Sequence, residues 1–230
     1  MQTRCPNPEC AIEFDLSGDD LDKRGHAPGR CPDCGIHATF RSPDAIAIIE
    51  REFEKRKAKG QLKGGPERAE DWVPELSVLV EDVRSLWNVG SIFRSSDGAG
   101  FQHVFLSGIT GSPPRKEIEK VSLGAEQVVS WDYVVNPLQA IVQLKKRGVQ
   151  IVGLEKSDES VLLSEAIYRN ELKRPICLIA GNEVSGLSPQ VLHHCEIVCH
   201  LPMRGMKESL NVAVAYGIAA YMIAQGVHKT

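Results

Sequence analysis

The sequence has no apolar run near the roughly 20 residues that a membrane-spanning helix needs. Its first ten residues, MQTRCPNPEC, also lack the apolar stretch of a signal peptide. Together these absences predict a cytoplasmic protein with no membrane partner. Neither sign of charge is in large excess: 27 lysines and arginines face 30 aspartates and glutamates, a formal net charge of -3. This argues against binding of nucleic acid by bulk charge, so any such binding must use a local basic surface. Missing too are the GxGxxG dinucleotide fingerprint, the GxxxxGKS/T phosphate loop and the GxSxG nucleophile elbow, which argues against nicotinamide, nucleoside triphosphate and serine hydrolase chemistry. There is no internal repeat and no low-complexity tract. What remains is a 230-residue chain, 42% hydrophobic, with room for one ordinary domain and a small appendage.

Seven cysteines, an odd number, point to metal ligands and buried thiols rather than disulfides. Four fall in the first zone, residues 1–42, as CPNPEC and GRCPDCG, so that Cys5, Cys10, Cys31 and Cys34 form two pairs about twenty residues apart. Tetrahedral zinc needs four deprotonated soft ligands, and two tight cysteine turns supply them. Pro6, Pro32 and Gly35 are turn residues suited to such knuckles. The zone has too few large apolar residues to fold without a staple, so a structural zinc ribbon is expected. A full set of four cysteines leaves no open position for catalysis. His26 and His37 are alternative ligands, although surface positions suit them better. Cys177, Cys195 and Cys199 lack paired spacing and read as packing residues.

The second zone, residues 43–74, opens with PDAIAIIEREFEKRKAKG, where Ala45, Ile46, Ile49 and Phe53 recur at helical spacing, and ends in a KGGPE linker. Between positions 51 and 68 seven basic residues outnumber three glutamates. This stretch is either a solvated charged helix or a contact for RNA phosphates.

From residue 75 to 230 strand and helix signals alternate. LSVLVED, HVFLSG, VQIVGLE, PICLIAGNE and EIVCHLPM read as strands, and NVGSIFRSSDGAG, NPLQAIVQLKKRG and SPQVLHHC as helices. The expected fold is α/β, a mostly parallel sheet with helices on both faces. The last helix is expected over KESLNVAVAYGIAAYMIA, Lys207 to Ala224. Ala213, Ala215, Gly217, Ala219 and Ala220 permit close approach of another element, while its start is polar. Ser209 there is either an N-cap or part of a site. In such sheets functional groups gather beyond the carboxyl ends of the strands, where this sequence places DVRSLWNVGSIFR, GITGSPP, EKSDES, GNEVSG and RGMKESLN.

Three of these stretches in order, NVGSIFR (88–94), GNEVSGL (181–187) and LPMRGMKESLNVAVAYGIAAY (201–221), resemble the motifs of the SpoU, or TrmH-like, branch of the SPOUT methyltransferases. GAGF and EKVSLGAEQVVSW (119–131) add to a likeness that covers about residues 76–227. The resemblance implies transfer of a methyl group from S-adenosylmethionine to a ribose 2'-hydroxyl of RNA, tRNA or rRNA. It also implies a carboxyl-terminal trefoil knot, a feature nearly absent elsewhere, and a homodimer formed through the knotted domain with the substrate site near the interface. By the same resemblance the cofactor is held at Leu154, Glu155, Gly181, Asn182, Leu201, Met203, Ser209 and Leu210, and the catalytic set is Arg94, Asn88, Glu183, Ser209 and Asn211.

The chemistry adds its own constraint. A ribose hydroxyl is almost wholly protonated at neutral pH, so activating that oxygen is the difficult part. Arginine is an awkward base because its guanidinium stays charged. Arg94 either binds the adjacent phosphate and stabilises a developing alkoxide or loses a proton in an unusual environment. Glu183 either orients the site or only caps a turn. Three rival readings remain: a catalytically silent RNA-binding or ribosome-associated protein with the same knotted fold, a base methyltransferase of the same superfamily, and a hydrolase on a generic parallel sheet. The filled motif positions weigh against the first, NVGSIFR against the second, and the missing elbow and open metal site against the third.

Overall fold

LSVLVE and ICLIA have almost no polar residues, so they are stable as strands only where both faces are covered, and they become adjacent central strands of one sheet. The structure is a computed structural model that describes residues 2–5, 10, 12–15, 26–34, 37–41 and 43–228. At the amino end β1 (Gln2–Arg4) pairs antiparallel with β2 (Glu13–Asp15), and β3 (His26–Arg30) with β4 (His37–Arg41). Helix α1 (Pro43–Ala58) and the two-residue strand β5 (Lys63–Gly64) follow. The main body then alternates: β6 (Leu76–Glu81), α2 (Leu86–Ala99), β7 (His103–Ser107), α3 (Lys116–Ser122), α4 (Ala125–Val128), β8 (Ser130–Val134), α5 (Pro137–Lys146) and β9 (Gln150–Leu154). It continues with β10 (Val161–Leu162), α6 (Leu163–Tyr168), β11 (Ile176–Ala180), α7 (Pro189–His194), β12 (Ile197–His200) and α8 (Val212–Gly226).

The main sheet has the order β10-β12-β9-β11-β6-β7-β8-β5, and every neighbouring pair is parallel except β5 with β8. The side-chain period of two sorts the core into two layers. Val78 and Val80 of β6 join Val104 and Leu106 of β7 beneath α2, α3 and α8, whereas Leu79, Ile151 and Ile179 point the other way, beneath α5 and α7. Each such fully buried side chain contributes roughly 1.5–3 kcal/mol. The expected α/β architecture with helices on both faces is therefore what forms. Cys177 and Cys199 are buried packing residues, and burial pushes both thiols up to about 12.

α2 and α8 run parallel in close contact. Asn88 meets Asn211 at one end, Gly217 comes so close to Ser95 that a Cβ there would stand 3.2 Å from its Oγ, and Gly98 meets Tyr221. The buried Tyr216 hydroxyl lies 2.6 Å from Ser96 Oγ, and its ring packs edge-on against Phe101 at 5.7 Å. Small residues on α8 thus serve the close approach expected of them. The start of the helix differs from the expectation: α8 begins at Val212, not Lys207, and residues 207–211 are irregular. Asn211, not Ser209, is the N-cap, because its Oδ1 accepts hydrogen bonds from the Ala213 and Val214 amides at 2.9 and 3.3 Å.

α1 lies against the sheet rather than standing free. Phe53 faces Tyr133 with ring centroids 6.3 Å apart, and the Arg56 guanidinium stacks 4.4 Å over the same ring while donating to Ser112 Oγ at 2.8 Å. Burial lowers the pKa of Arg56. Lys55, Lys57 and Lys59 remain exposed.

Candidate active site

After the edge strand β5, the chain starts the parallel part of the sheet at β6, builds outward through β7 and β8, then crosses to β9 and inserts β11 between β9 and β6. Such a reversal leaves a crevice beyond the carboxyl ends of the flanking strands. The loops that follow β6, β9, β11 and β12 meet there.

Glu183, after β11, ties two of them together. Its Oε2 accepts from the Arg84 amide (3.0 Å), and its Oε1 from the Ser85 amide (3.1 Å) and Asn88 Nδ2 (2.9 Å). All three partners belong to the entry of α2, so Glu183 does more than cap its own turn. A carboxylate at the amino end of a helix is also favoured by the helix dipole. Asn88 Oδ1 in turn accepts from Asn211 Nδ2 at 3.1 Å, and Asn211 caps α8. One relay, Glu183 to Asn88 to Asn211, therefore joins the three motif stretches and the amino ends of two parallel helices. The turn itself is capped by Asn182, whose Oδ1 accepts from the Val184 and Ser185 amides (2.9 and 3.1 Å) while its Nδ2 donates to the Asp82 carbonyl (2.8 Å).

Beside this relay is a cavity of about 180 Å³. Leu154, Glu155, Gly181, Asn182, Leu201, Met203, Ser209 and Leu210, all eight residues expected to hold a cofactor, line it. Its shape depends on a tightly folded loop, in which Asn182 and Gly186 exchange two backbone hydrogen bonds of 3.0 Å. A Cβ on Gly181 would fall 2.5 Å from the Gly186 backbone, and one on Gly186, at φ +68°, would fall 2.2 Å from Glu155 Oε2. At Gly181 the clash is with backbone and leaves no room for a side chain, while at Gly186 the left-handed φ favours glycine. The Glu155 carboxylate, which accepts from the Leu187 amide at 3.0 Å, closes the loop from the β9 side. Burial raises its pKa despite two backbone hydrogen bonds that oppose the rise.

Arg94 stands apart. It lies six residues beyond Asn88 on α2, is exposed, does not line the cavity and has no hydrogen-bond or ion-pair partner among the described residues. It shares one face of α2 with Trp87, Ser91 and Gly98, next to Tyr221 of α8. Ser209 is exposed at the cavity, outside the relay. The structure thus brings Asn88, Glu183 and Asn211 together, places Ser209 beside them and leaves Arg94 on the neighbouring helix face.

Sequence reasoning missed Ser85, the N-cap of α2, and His200, a cavity residue whose Nδ1 lies 2.9 Å from Ser160 Oγ. A serine three residues before Asn88, and a histidine ending an apolar strand, were the available signals.

At the amino end the four sulfurs of Cys5, Cys10, Cys31 and Cys34 lie within 4.8 Å of one another, with Cys5–Cys34 and Cys10–Cys31 at 3.7 Å. A tetrahedron with zinc–sulfur bonds of about 2.3 Å has edges of about 3.8 Å, whereas a disulfide needs about 2.05 Å. The arrangement fits zinc, not disulfides. Pro6 and Gly35 lie outside the described residues, as do the side chains of His26 and His37.

Residues 75–221 match the profile of the SpoU rRNA Methylase family. The chain is 33% identical over 147 residues to the tRNA (guanosine(18)-2'-O)-methyltransferase of Aquifex aeolicus, covering 64% of this chain and 67% of that enzyme. It is 32% identical over 157 residues to the 23S rRNA (guanosine-2'-O-)-methyltransferase RlmB of Pseudomonas aeruginosa, covering 68% of this chain and 60% of that one. The AdoMet-bound rRNA methyltransferase of Sinorhizobium meliloti superimposes with a TM-score of 0.59 at 25% identity, over 70% of this chain and 57% of its own. The chain therefore spans about 60% of the length of the two rRNA enzymes. With the relay and the cavity both lying within the matched residues 75–221, the chain belongs to the SpoU rRNA Methylase family.

Proposed function

We propose that this protein transfers a methyl group from S-adenosylmethionine to a ribose 2'-hydroxyl of a structured RNA, tRNA or rRNA, in the cytoplasm. The carrying observation is that the cavity lined by all eight expected cofactor residues opens beside the Glu183–Asn88–Asn211 relay. Its walls suit an adenosine with a polar tail: Leu154, Leu201, Met203 and Leu210 are apolar, while Glu155, Asn182 and Ser209 carry polar groups. When bound, the cofactor supplies an electrophilic methyl on a good leaving group, and the protein's part is to activate and position the ribose oxygen.

Glu183 and Asn88 hold the entry of α2 in place, and through it the orientation of Arg94. Arg94, without a partner among the described residues, is available to bind the phosphate next to the target ribose and to stabilise the developing alkoxide. Ser209 and Asn211 order the loop that borders both cofactor and substrate.

Homodimer formation is part of the proposal. Val214, Ile218 and Tyr221 form a stripe on α8 that is 44–50% exposed, and Trp87 on α2 is 53% exposed beside it. Pairing through this face would put Arg94 at the boundary between two copies, which suits a substrate site near the interface. The trefoil knot, the bound zinc and a division into a ribbon (1–42), a connecting helix segment (43–74) and a methyltransferase domain (75–230) complete the reading. The sulfur spacing of 3.7 Å supports the zinc.

The test is transfer of labelled methyl from S-adenosylmethionine to total tRNA and rRNA by wild type and Arg94→Ala. The expected result is label in 2'-O-methyl nucleosides, reduced about a hundredfold or more in the variant. Cofactor binding without transfer to either pool would favour a catalytically silent RNA-binding protein, and no cofactor binding at all would end the enzyme reading.

A further inference from the structure

Helix α1 sorts its charges by side. Ile49 is buried and Phe53 and Arg56 lie against Tyr133, so these three define the inner face. At about 100° per residue, Arg51 and Lys55 fall on one flank and Lys59 follows them in the closing turn, whereas Glu50, Glu54 and Lys57 fall on the other. All six are exposed. The basic flank carries one acid, Glu52, and Lys55 already holds it at 2.8 Å.

The loop after β7 extends this flank. Arg56 donates to Ser112 Oγ at 2.8 Å, and beyond Pro113 and Pro114 the exposed Arg115 and Lys116 follow. Burial lowers the pKa of Arg56, and the positive charge of the neighbouring Arg115 lowers it further. Glu52 feels the same arginine: the Lys55 hydrogen bond chiefly, then Lys55, Arg56 and Arg115 as charges, lower its pKa, so Arg115 stands on the Lys55 side of the helix. Among the described residues no carboxylate pairs with Arg56 or Arg115. In a chain of net charge -3, this is a local concentration of cations that a polyanion would neutralise.

The same loop is bonded to the active site. The Ile109 amide donates to Asp82 Oδ1 (2.9 Å) and the Val83 amide to Thr110 Oγ1 (3.0 Å), next to the Arg84 and Ser85 amides that hold Glu183. Tyr133 is on β8, two strands from β6, which at ~4.8 Å per strand sets the flank on the order of 10 Å from the entry of α2.

We infer that this flank, Arg51, Lys55 and Lys59 with Arg115 and Lys116, docks the phosphate backbone of the RNA that enters the active site. Its helical cations stand about 6 Å apart along the axis, a spacing that lets them meet neighbouring phosphates of one strand. Such a contact fixes the register of a structured RNA and reads no base. Arg56 is a positioning residue, which clamps α1 to the loop through Tyr133 and Ser112. That the RNA is the methylated one rests on the methyltransferase reading; the phosphate contact rests on the sorted charges.

The test compares full-length wild type with a triple variant, Arg51→Gln, Lys55→Gln and Arg115→Gln, and with a charge-matched control, Lys57→Gln, Lys146→Gln and Lys173→Gln, at exposed positions off the flank. Filter binding of total tRNA and of total rRNA is measured across KCl concentrations. The triple variant should bind at least about tenfold more weakly than wild type at about 0.1 M KCl, and its slope of log K against log salt should flatten by about 2–3, as three lost phosphate contacts require. The control should stay within about twofold of wild type. All three flank positions are exposed and the Arg115 side chain makes no cap bond to α3, so the fold is kept, which circular dichroism checks. Arg51→Gln with Lys55→Gln alone should flatten the slope by about two-thirds as much. Equal losses in variant and control would assign binding to bulk charge; binding unchanged in the variant, or no RNA binding by wild type, would leave the flank to water or an acidic protein. Each of these results overturns the inference. In methyl-transfer assays the triple variant should raise KM for RNA about tenfold with kcat unchanged. An unchanged KM beside active wild type would sink this inference and spare the methyltransferase reading. RNA binding that weakens in the variant, without methyl transfer by wild type, would remove that reading and keep the phosphate contact.

Discussion

Asn211 acts at two places at once. One oxygen caps α8, and one amide nitrogen holds Asn88, which holds Glu183. Asn211→Ala should cost about 1 kcal/mol in denaturant unfolding through loss of the cap and should lower kcat by releasing Asn88; a variant of wild-type stability would show that the cap carries no weight. Glu155 makes a prediction about pH. Its pKa lies above the ordinary 4.5 because burial disfavours the carboxylate. Below that ordinary value both folded and unfolded states hold the proton, and the contribution to stability is complete. As pH rises through the raised value, the folded state must release a proton that the unfolded state has already lost, so the contribution fades. The melting temperature of wild type should therefore fall across this window relative to Glu155→Gln, and identical pH profiles for the two would rule the carboxylate out. Glu155 was readable only by family likeness, because nothing in EKSDES says which carboxylate turns inward.

At the scale of elements, periodicity and punctuation served well where local rules dominate. LSVLVE and ICLIA had to be doubly covered strands, and α2 stops at Gly100 in the left-handed conformation at φ 74°, as a helix ending on glycine should. They served less well where tertiary contacts decide. The polar run before α8 has helix-compatible residues, yet Asn88 captures Asn211 and sets the start at Val212. The short strands β5 and β10 have two residues each, below any periodic signal, and form because a neighbouring edge offers a ladder. Of the site, the three motif stretches were legible, whereas the relay between them, which spans 95 to 123 residues, was not. The α8 stripe carries the element-scale prediction. Ile218→Glu, on an exposed position, should leave the fold intact and convert a dimer to monomer in light scattering; a variant of unchanged mass would place the interface elsewhere.

For the whole molecule, the described apolar cluster at the amino end consists of Cys5 and Cys31 with Cys10, Ile12 and Phe14 packed against them. Its folding should depend on metal. Chelation should release one zinc per chain and abolish hydrogen-exchange protection in the strands at 2–4, 13–15, 26–30 and 37–41, with S-adenosylmethionine affinity unchanged because none of the described residues before 43 lines the cavity beside the relay. Protection that survives complete metal loss would show that the apolar contacts suffice.

The small strand β5 has a bearing on how the protein behaves in concentrated solution. Lys63 and Gly64 occupy the outer side of β8, opposite Asp132 and Trp131, where the main sheet would otherwise end in bare backbone donors and acceptors. A chain lacking residues 1–74 would keep the family-matched residues 75–221 but carry an open edge beside Trp131, the kind of surface along which sheets join edge to edge. The connecting segment therefore covers the part of that edge at Trp131 and Asp132 against pairing with a second sheet.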